Sequence, residues 1–191
     1  PATRLGAEAV AARAAFAELE RDSLAYLTPI ARLRSFGRTL ALTLEEVRFG
    51  GVGPDRLDEC GVAGPDVACL ARRYALQLEQ AHLIDMPDLY RLAAAAVRGP
   101  DAVGVPLDIP MLLLDVPVRD EATLQLVGAL AMRAACLAAT VPAGDARTLV
   151  ALGGLPLASA ESIDDPLKLA QPLMRVRQRL FEAIAPDETP P

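Results

Sequence analysis

The residues best placed to do chemistry lie where an apolar run meets an acid. Met111 to Leu114 are all apolar and lead directly into Asp115, and a helical pattern follows. A buried strand that ends in a carboxylate is how parallel α/β sheets present ligands to a nucleotide crevice. Asp115 is therefore a candidate for a carboxylate that holds Mg²⁺ beside a phosphate.

Nucleotide hydrolysis needs more than this one carboxylate. In an active ATPase the Asp holds Mg²⁺ and a neighbouring Glu polarises the attacking water, so both acids must leave the strand together. Here Val116 and Pro117 follow Asp115, the loop G-x-x-x-x-G-K-[ST] is absent, and Lys168 is the sole lysine. We therefore predict that the chain has no ATPase activity and no cofactor. Asp115 is then a strand-end residue that caps the next helix or faces solvent.

Other catalytic sets are incomplete as well. The Pro-Asp pairs at 54–55 and 65–66 are not followed by the Glu-x-Lys of a metal-dependent nuclease, and no G-x-S-x-G turn occurs. Three cysteines without C-x-x-C spacing and one histidine cannot form a typical zinc site. They predict a reducing compartment, which we take to be the cytoplasm. Cys69 and Cys136 lie in apolar runs and are predicted to be buried.

Composition and charge limit the classes of partner. The chain has 191 residues, 52% of them hydrophobic, which is enough to build a core, and its formal charge is −6. An acidic chain has little attraction for a phosphate backbone, so we predict no tight DNA binding by the chain alone. Two arginine groups are predicted to be solvated helix faces, namely Arg32, Arg34 and Arg38, and Arg175, Arg177 and Arg179. No apolar run reaches 18 residues, so no membrane span is predicted.

Periodicity predicts the elements that position Asp115. Apolar residues recur at helical spacing over about 5–19, 31–49, 66–81 and 86–98, and Asp85 is the predicted N-cap of the last of these helices. After the break at Gly99-Pro100 the pattern becomes buried strand, amphipathic helix and second strand, a unit that pairs its strands in parallel. A short helix over 143–154 and a C-terminal helix over 164–184 follow. We predict a mainly α fold with a small α/β portion, divided into a helical subdomain (1–99), an α/β unit (100–160) and a C-terminal helix with a linker tail (161–191).

Two stretches resemble one protein family. "RRYALQLEQAHLIDMPDLYRLAAAAV" resembles the helical insertion of UvrD/RecB-like superfamily 1 helicases, and "LLLDVPVRDEATLQLVGAL" resembles the strand and Gln-bearing helix that follow it. The closer resemblance, over about residues 30–145, is to the B subunit of AddAB-type helicase-nucleases, in which a degenerate helicase region accompanies a PD-(D/E)XK nuclease domain. The positions that carry it are Tyr74, Leu83, Asp85, Asp88, Leu89, Asp115 and Gln125. Val116 departs from active members, which have Glu there.

This resemblance implies a P-loop-helicase-like remnant within a larger DNA repair and recombination protein. The segment would serve as a scaffold or line a DNA path, with other domains of a longer chain and a partner helicase subunit as partners. It would meet DNA only in the full assembly. The candidate DNA contacts are Tyr74, Tyr90, Arg32, Arg34 and Arg38, although packing roles for the two tyrosines are the stronger alternative. A different class of function is an independent helical protein-protein interaction module.

Overall fold

The structure, a computed structural model, describes residues 1–99, 108–156 and 158–161. Within these residues the fold is mainly helical, with one small parallel sheet. The helices are α1 (Arg4–Glu20), α2 (Thr28–Ala31), α3 (Phe36–Phe49), α4 (Pro54–Asp58), α5 (Gly64–Gln80), α6 (Met86–Arg98), α7 (Glu121–Arg133) and α8 (Ala146–Gly153), and the strands are β1 (Pro110–Leu114) and β2 (Cys136–Thr140). The predicted fold class is thus confirmed at this coarse level.

Two compact units make up the chain. The helical unit comprises Pro1–Ala102 with Asp120–Leu126, and the strand unit comprises Val103–Arg119 with Val127–Pro191. Helix α7 therefore belongs to both units. The three-part division predicted at residues 99 and 160 stays a prediction, and the predicted C-terminal helix lies outside the described residues.

Alanine and glycine set the packing of the helical unit. Helix α1 packs against α3 and α5, and three of its five buried residues are alanines, namely Ala11, Ala14 and Ala15. Gly37 of α3 approaches α1 so closely that a Cβ there would lie 2.8 Å from the Cβ of Ala12. Larger residues from the neighbouring helices, such as Leu44, which is fully buried, fill the remaining space. Small side chains on α1 thus let the helix axes approach, and leucines on its neighbours close the core.

The connection between α1 and α2 is held by one buried carboxylate. Asp66, in the first turn of α5, accepts hydrogen bonds from three consecutive backbone N–H groups, those of Ala25, Tyr26 and Leu27, at 2.7–3.0 Å. Its side chain is 4% exposed, so these bonds take the place of water. Asp66 therefore fixes where the chain turns after α1.

The strand unit contains the predicted strand-helix-strand arrangement. Strands β1 and β2 pair in parallel, with Pro110 opposite Cys136 and Leu114 opposite Thr140. The prediction of a buried strand is wrong for one face of β1, because Leu112 and Leu114 are 63% and 68% exposed. A parallel sheet is normally covered on both faces, whereas the described residues cover this sheet on one face only.

Two of the cysteines also differ from prediction. Cys136 is exposed, because it begins β2 on the uncovered side of the sheet. Cys69 is only partly buried, and its thiol lies beside a carboxylate rather than among apolar side chains. The prediction that both cysteines are buried, which was based only on their apolar neighbours in sequence, is therefore wrong.

Candidate functional site

Asp115 leaves β1 in a left-handed turn, with φ of 50°. Its backbone N–H donates to Oγ1 of Thr140 at 3.0 Å, and that hydroxyl in turn donates to the Asp115 carboxylate at 2.8 Å. Because Thr140 is the last residue of β2, the pair joins the carboxyl ends of both strands. Asp tolerates the left-handed conformation better than most residues, so its type suits the turn as well as the contact.

The residues that follow provide no second acid at the strand end. Val116 is 37% exposed and carries no polar group to orient a water molecule. The cap of α7 is Asp120, whose carboxylate accepts from the N–H of Thr123 at 2.8 Å, so the alternative that Asp115 caps this helix is wrong. Gln125 donates its side-chain amide to Glu121 one turn earlier at 2.9 Å. The described residues at this strand end thus form hydrogen-bonded turns rather than a pair of catalytic carboxylates.

A second strand-unit network lies at the start of α8. Asp145 caps this helix through the N–H of Thr148 at 3.1 Å and also accepts from the Thr148 hydroxyl at 2.9 Å. Those two hydrogen bonds, with Arg119 at 3.7 Å, hold the pKa of Asp145 below its usual value. The Thr148 hydroxyl accepts in turn from the N–H of Val118 at 3.0 Å. The network therefore ties the segment after β1 to α8.

The helical unit contains a charge cluster that the sequence did not reveal. Arg48, at the end of α3, pairs with Asp85 at 2.6 Å and with Asp88 at 2.5 Å. Arg91 binds the other oxygen of Asp88 at 2.7 Å and also donates to the backbone carbonyl of Arg48. Asp85 additionally caps α6, accepting from the N–H of Asp88 at 3.1 Å, as predicted. The cluster joins the C-terminus of α3 to the N-terminus of α6.

The two candidate tyrosines lie on helices α5 and α6. Tyr74 is 2% exposed within the helical core. Tyr90 is half-buried, and its ring packs edge-on against Phe49, with ring centroids 5.5 Å apart. Their contact with DNA bases stays a prediction, and the packing alternative describes the contacts that both rings make in this structure.

The arginine group near residue 35 is exposed. Arg32 and Arg34 lie in the turn between α2 and α3, and Arg38 lies in the first turns of α3. The group therefore lies partly on a turn rather than on a helix face, because α3 begins only at Phe36. Contact of these arginines with DNA stays a prediction, and Arg175, Arg177 and Arg179 lie outside the described residues.

Glu18 organises a further buried group. Its carboxylate, 4% exposed, accepts from the hydroxyl of Ser23 at 2.6 Å and the thiol of Cys69 at 3.2 Å, and it pairs with Arg73. Burial works to raise the pKa of Glu18, but the hydrogen bonds from these neighbours outweigh it and lower the pKa overall. Burial, and then the carboxylate of Glu18, raise the pKa of the Cys69 thiol. The thiol is therefore a hydrogen-bond donor and is poorly suited to act as a nucleophile.

No group of three or more His, Cys, Asp or Glu side chains in the described part of the chain is arranged to hold a metal ion. None of the helices in residues 1–99 and 108–156 has the length and apolar character needed to cross a membrane.

The chain matches no protein-family model, no curated protein and no solved structure.

Proposed function

We propose that this chain is a non-catalytic, helicase-like segment of an AddB-type helicase-nuclease subunit that acts in DNA double-strand-break repair and recombination. In this proposal the parallel strand unit is the remnant of a P-loop helicase domain. The segment serves as a scaffold or borders the DNA path in the cytoplasm. Its partners are other domains of a longer chain and a helicase subunit that retains ATPase activity.

The observation that carries the proposal is the position and state of Asp115. It stands at the carboxyl end of β1 in a parallel strand-helix-strand unit, where a helicase of the resembled family keeps its Mg²⁺-binding Asp. Its carboxylate and N–H are both occupied by Thr140, and Val116 replaces the second acid. These features support the view that an Asp is retained at residue 115 for its structural role and that the ability to hold Mg²⁺ for ATP hydrolysis has been lost.

The helical unit supplies independent support. Asp85 and Asp88 are among the residues that carry the resemblance, and both bind Arg48. The ion pairs give these two acidic positions a structural role, because the carboxylates bind the start of α6 to the end of α3. Such a joint suits a segment that holds neighbouring parts of a larger assembly in register.

Three observations test this function. First, the proposal expects that the natural reading frame encodes Glu-x-Lys in a nuclease domain downstream of Pro191, and a stop codon there would count strongly against it. Second, the protein expressed from a chromosomal gene that carries an affinity tag should co-purify with a subunit that contains a Walker A motif. Third, deletion of the gene should lower survival of the cells after ionising radiation.

Complementation of that deletion strain separates scaffold from catalysis. The full-length gene with Asp115→Ala should restore survival to the parental level, because no nucleotide chemistry depends on this carboxylate. A gene in which Arg48 is replaced by Met should restore less, because the α3–α6 joint is lost. If the deletion strain survives radiation like its parent, the repair function is excluded, and the independent interaction module becomes the better description.

A further inference from the structure

One face of the β1–β2 sheet is apolar and has no cover among the described residues. Leu112 and Leu114 of β1 are 63% and 68% exposed, and the strand register places the exposed Cys136 and Ala138 of β2 on the same side. The opposite face, to which Met111 belongs, is half-buried. Parallel sheets are covered on both faces in nearly all proteins. The face formed by these exposed residues, which we call the open face, therefore lacks a covering element.

The size of the open face favours a cover that belongs to the same chain. Each strand has five residues, so the face measures about 16 Å by 10 Å, or on the order of 160 Å². A stable interface between separate proteins buries about 800 Å² on each partner, several times this area. A segment of the same chain needs no such area, because its attachment gives it a high effective concentration at the face.

The C-terminal part of the chain has a sequence that fits the open face. Residues 162–191 lie outside the described residues, and their sequence predicts an amphipathic helix over 173–184, bounded by Pro172 and Pro186. Its apolar residues recur at i, i+3, i+7 and i+11 and so share one side of a helix, namely Leu173, Val176, Leu180 and Ile184. Twelve helical residues span about 18 Å, which matches the length of the strands.

The point from which this segment starts is fixed to the strand unit. Helix α8 is held to the residues after β1 by the Thr148 hydroxyl, which accepts from the N–H of Val118 at 3.0 Å. The described chain then continues to Glu161. Residues 162–172 can span up to about 36 Å when extended, roughly twice the length of the sheet. The connection is therefore long enough for residues 173–184 to reach the open face.

We propose that residues 173–184 fold as a helix that covers the open face, with its apolar side on Leu112 and Leu114. The strand unit is then complete as a helix-sheet-helix arrangement. The opposite side of the covering helix, which carries Gln178 and Arg179, faces solvent. The inference is independent of the repair function, because it concerns only how the strand unit is completed.

Photo-cross-linking of the 191-residue chain identifies the occupant of the open face. Leu112 is exposed, so p-benzoylphenylalanine can replace it without entering the core. Irradiation should link this residue to a peptide within 173–184. In a mixture of ¹⁵N-labelled and unlabelled chains, the two linked peptides should always carry the same label, because the link forms within one chain. The matched control places the same amino acid at Phe16, exposed on α1, and should give no link to 173–184.

Three results of this experiment would overturn the proposal. Links between labelled and unlabelled chains would make a second copy the occupant. An absence of links to 173–184 would leave the face to another protein or domain. Equal links from Leu112 and Phe16 would show that the segment has no fixed place.

Alkylation of the native cysteines tests the cover without altering the face. Cys136 lies on the open face, and Cys60, exposed after α4, is an internal reference. A helix that is docked for about nine-tenths of the time should slow the reaction of Cys136 with N-ethylmaleimide about tenfold. Leu180→Asp places a charge on the apolar side and should restore this tenfold, with the rate of Cys60 unchanged. The matched control Gln178→Asp adds the same charge to the opposite side and should react like the parent. Equal Cys136 rates in the parent and in Leu180→Asp would overturn the cover and leave the repair function untouched.

Discussion

Asp115 and Thr140 hold the ends of the two parallel strands together through one shared hydroxyl. The Thr140 oxygen accepts from the N–H of Asp115 at 3.0 Å and donates to its carboxylate at 2.8 Å. A carboxylate used in this way stabilises the turn after β1. The same residue type that holds Mg²⁺ in an active ATPase thus has a structural task here.

This contact predicts a measurable coupling energy between the two side chains. Asp115→Ala and Thr140→Val should each destabilise the chain modestly, because the pair is exposed. Their combined effect should fall short of the sum by about 1 kcal/mol, the worth of a typical hydrogen bond. Urea denaturation of the parent, the two single variants and the double variant measures the coupling. Strict additivity would show that the contact contributes nothing in solution.

Arg48 should be among the most sensitive charged residues of the helical unit. Its replacement by Met keeps the apolar stem but leaves Asp85, whose side chain is 7% exposed, without its cation. Breaking a buried ion pair from one side typically costs about 3 kcal/mol or more. The matched control Arg4→Met removes an exposed pair at 3.6 Å and should cost less than about 0.5 kcal/mol. Equal losses in the two variants, measured by urea denaturation, would contradict this account.

Glu18 should make the stability depend on pH in the acid range. Burial works to raise its pKa, but hydrogen bonds from Ser23, Arg73 and Cys69 bring the folded-state pKa below the ordinary value of 4.5. Its ionised form therefore stabilises the fold above the unfolded-state pKa, and this stabilisation is lost as pH falls through the folded-state pKa. Denaturation midpoints of Glu18→Gln should fall less between pH 6 and pH 3 than those of the parent. Glu20→Gln, exposed two residues further along, should follow the parent.

The elements of this fold were predictable where local signals agree. Asp85 precedes an apolar helical period and caps α6, and the strand-helix-strand order already implied the parallel pairing of β1 and β2. Those predictions need only neighbours in sequence, because capping and periodicity are properties of a single segment.

The clusters were not predictable, because each depends on residues far apart in the chain. Arg48 meets Asp85 across 37 positions, and Asp66 binds backbone groups about 40 positions earlier. Cys69 lies in an apolar run, and only the folded chain brings it to Glu18.

The chain should neither bind nor hydrolyse ATP. Its sequence has no G-x-x-x-x-G-K-[ST] loop, the residue after Asp115 is Val116 rather than an acid, and the Asp115 carboxylate is hydrogen-bonded by Thr140. Isothermal titration with Mg-ATP should therefore give no binding heat at micromolar protein, and Asp115→Ala should give the same trace. Micromolar binding by the parent that Asp115→Ala abolishes would restore Asp115 as a metal ligand.

The isolated chain should also show no measurable affinity for single- or double-stranded DNA at physiological salt. Its formal charge is −6, so long-range attraction to a polyanion is weak. The exposed arginines Arg32, Arg34 and Arg38 form one local group at the start of α3, and three cations release too few counterions for tight binding on their own. Fluorescence anisotropy with labelled oligonucleotides should detect at most weak binding that disappears as salt is raised. A variant with all three arginines changed to Gln should lose that weak binding, whereas Arg56→Gln, on the short helix α4, should retain it. Submicromolar binding at physiological salt would contradict the prediction and would mean that the folded chain builds a basic groove that its net charge conceals.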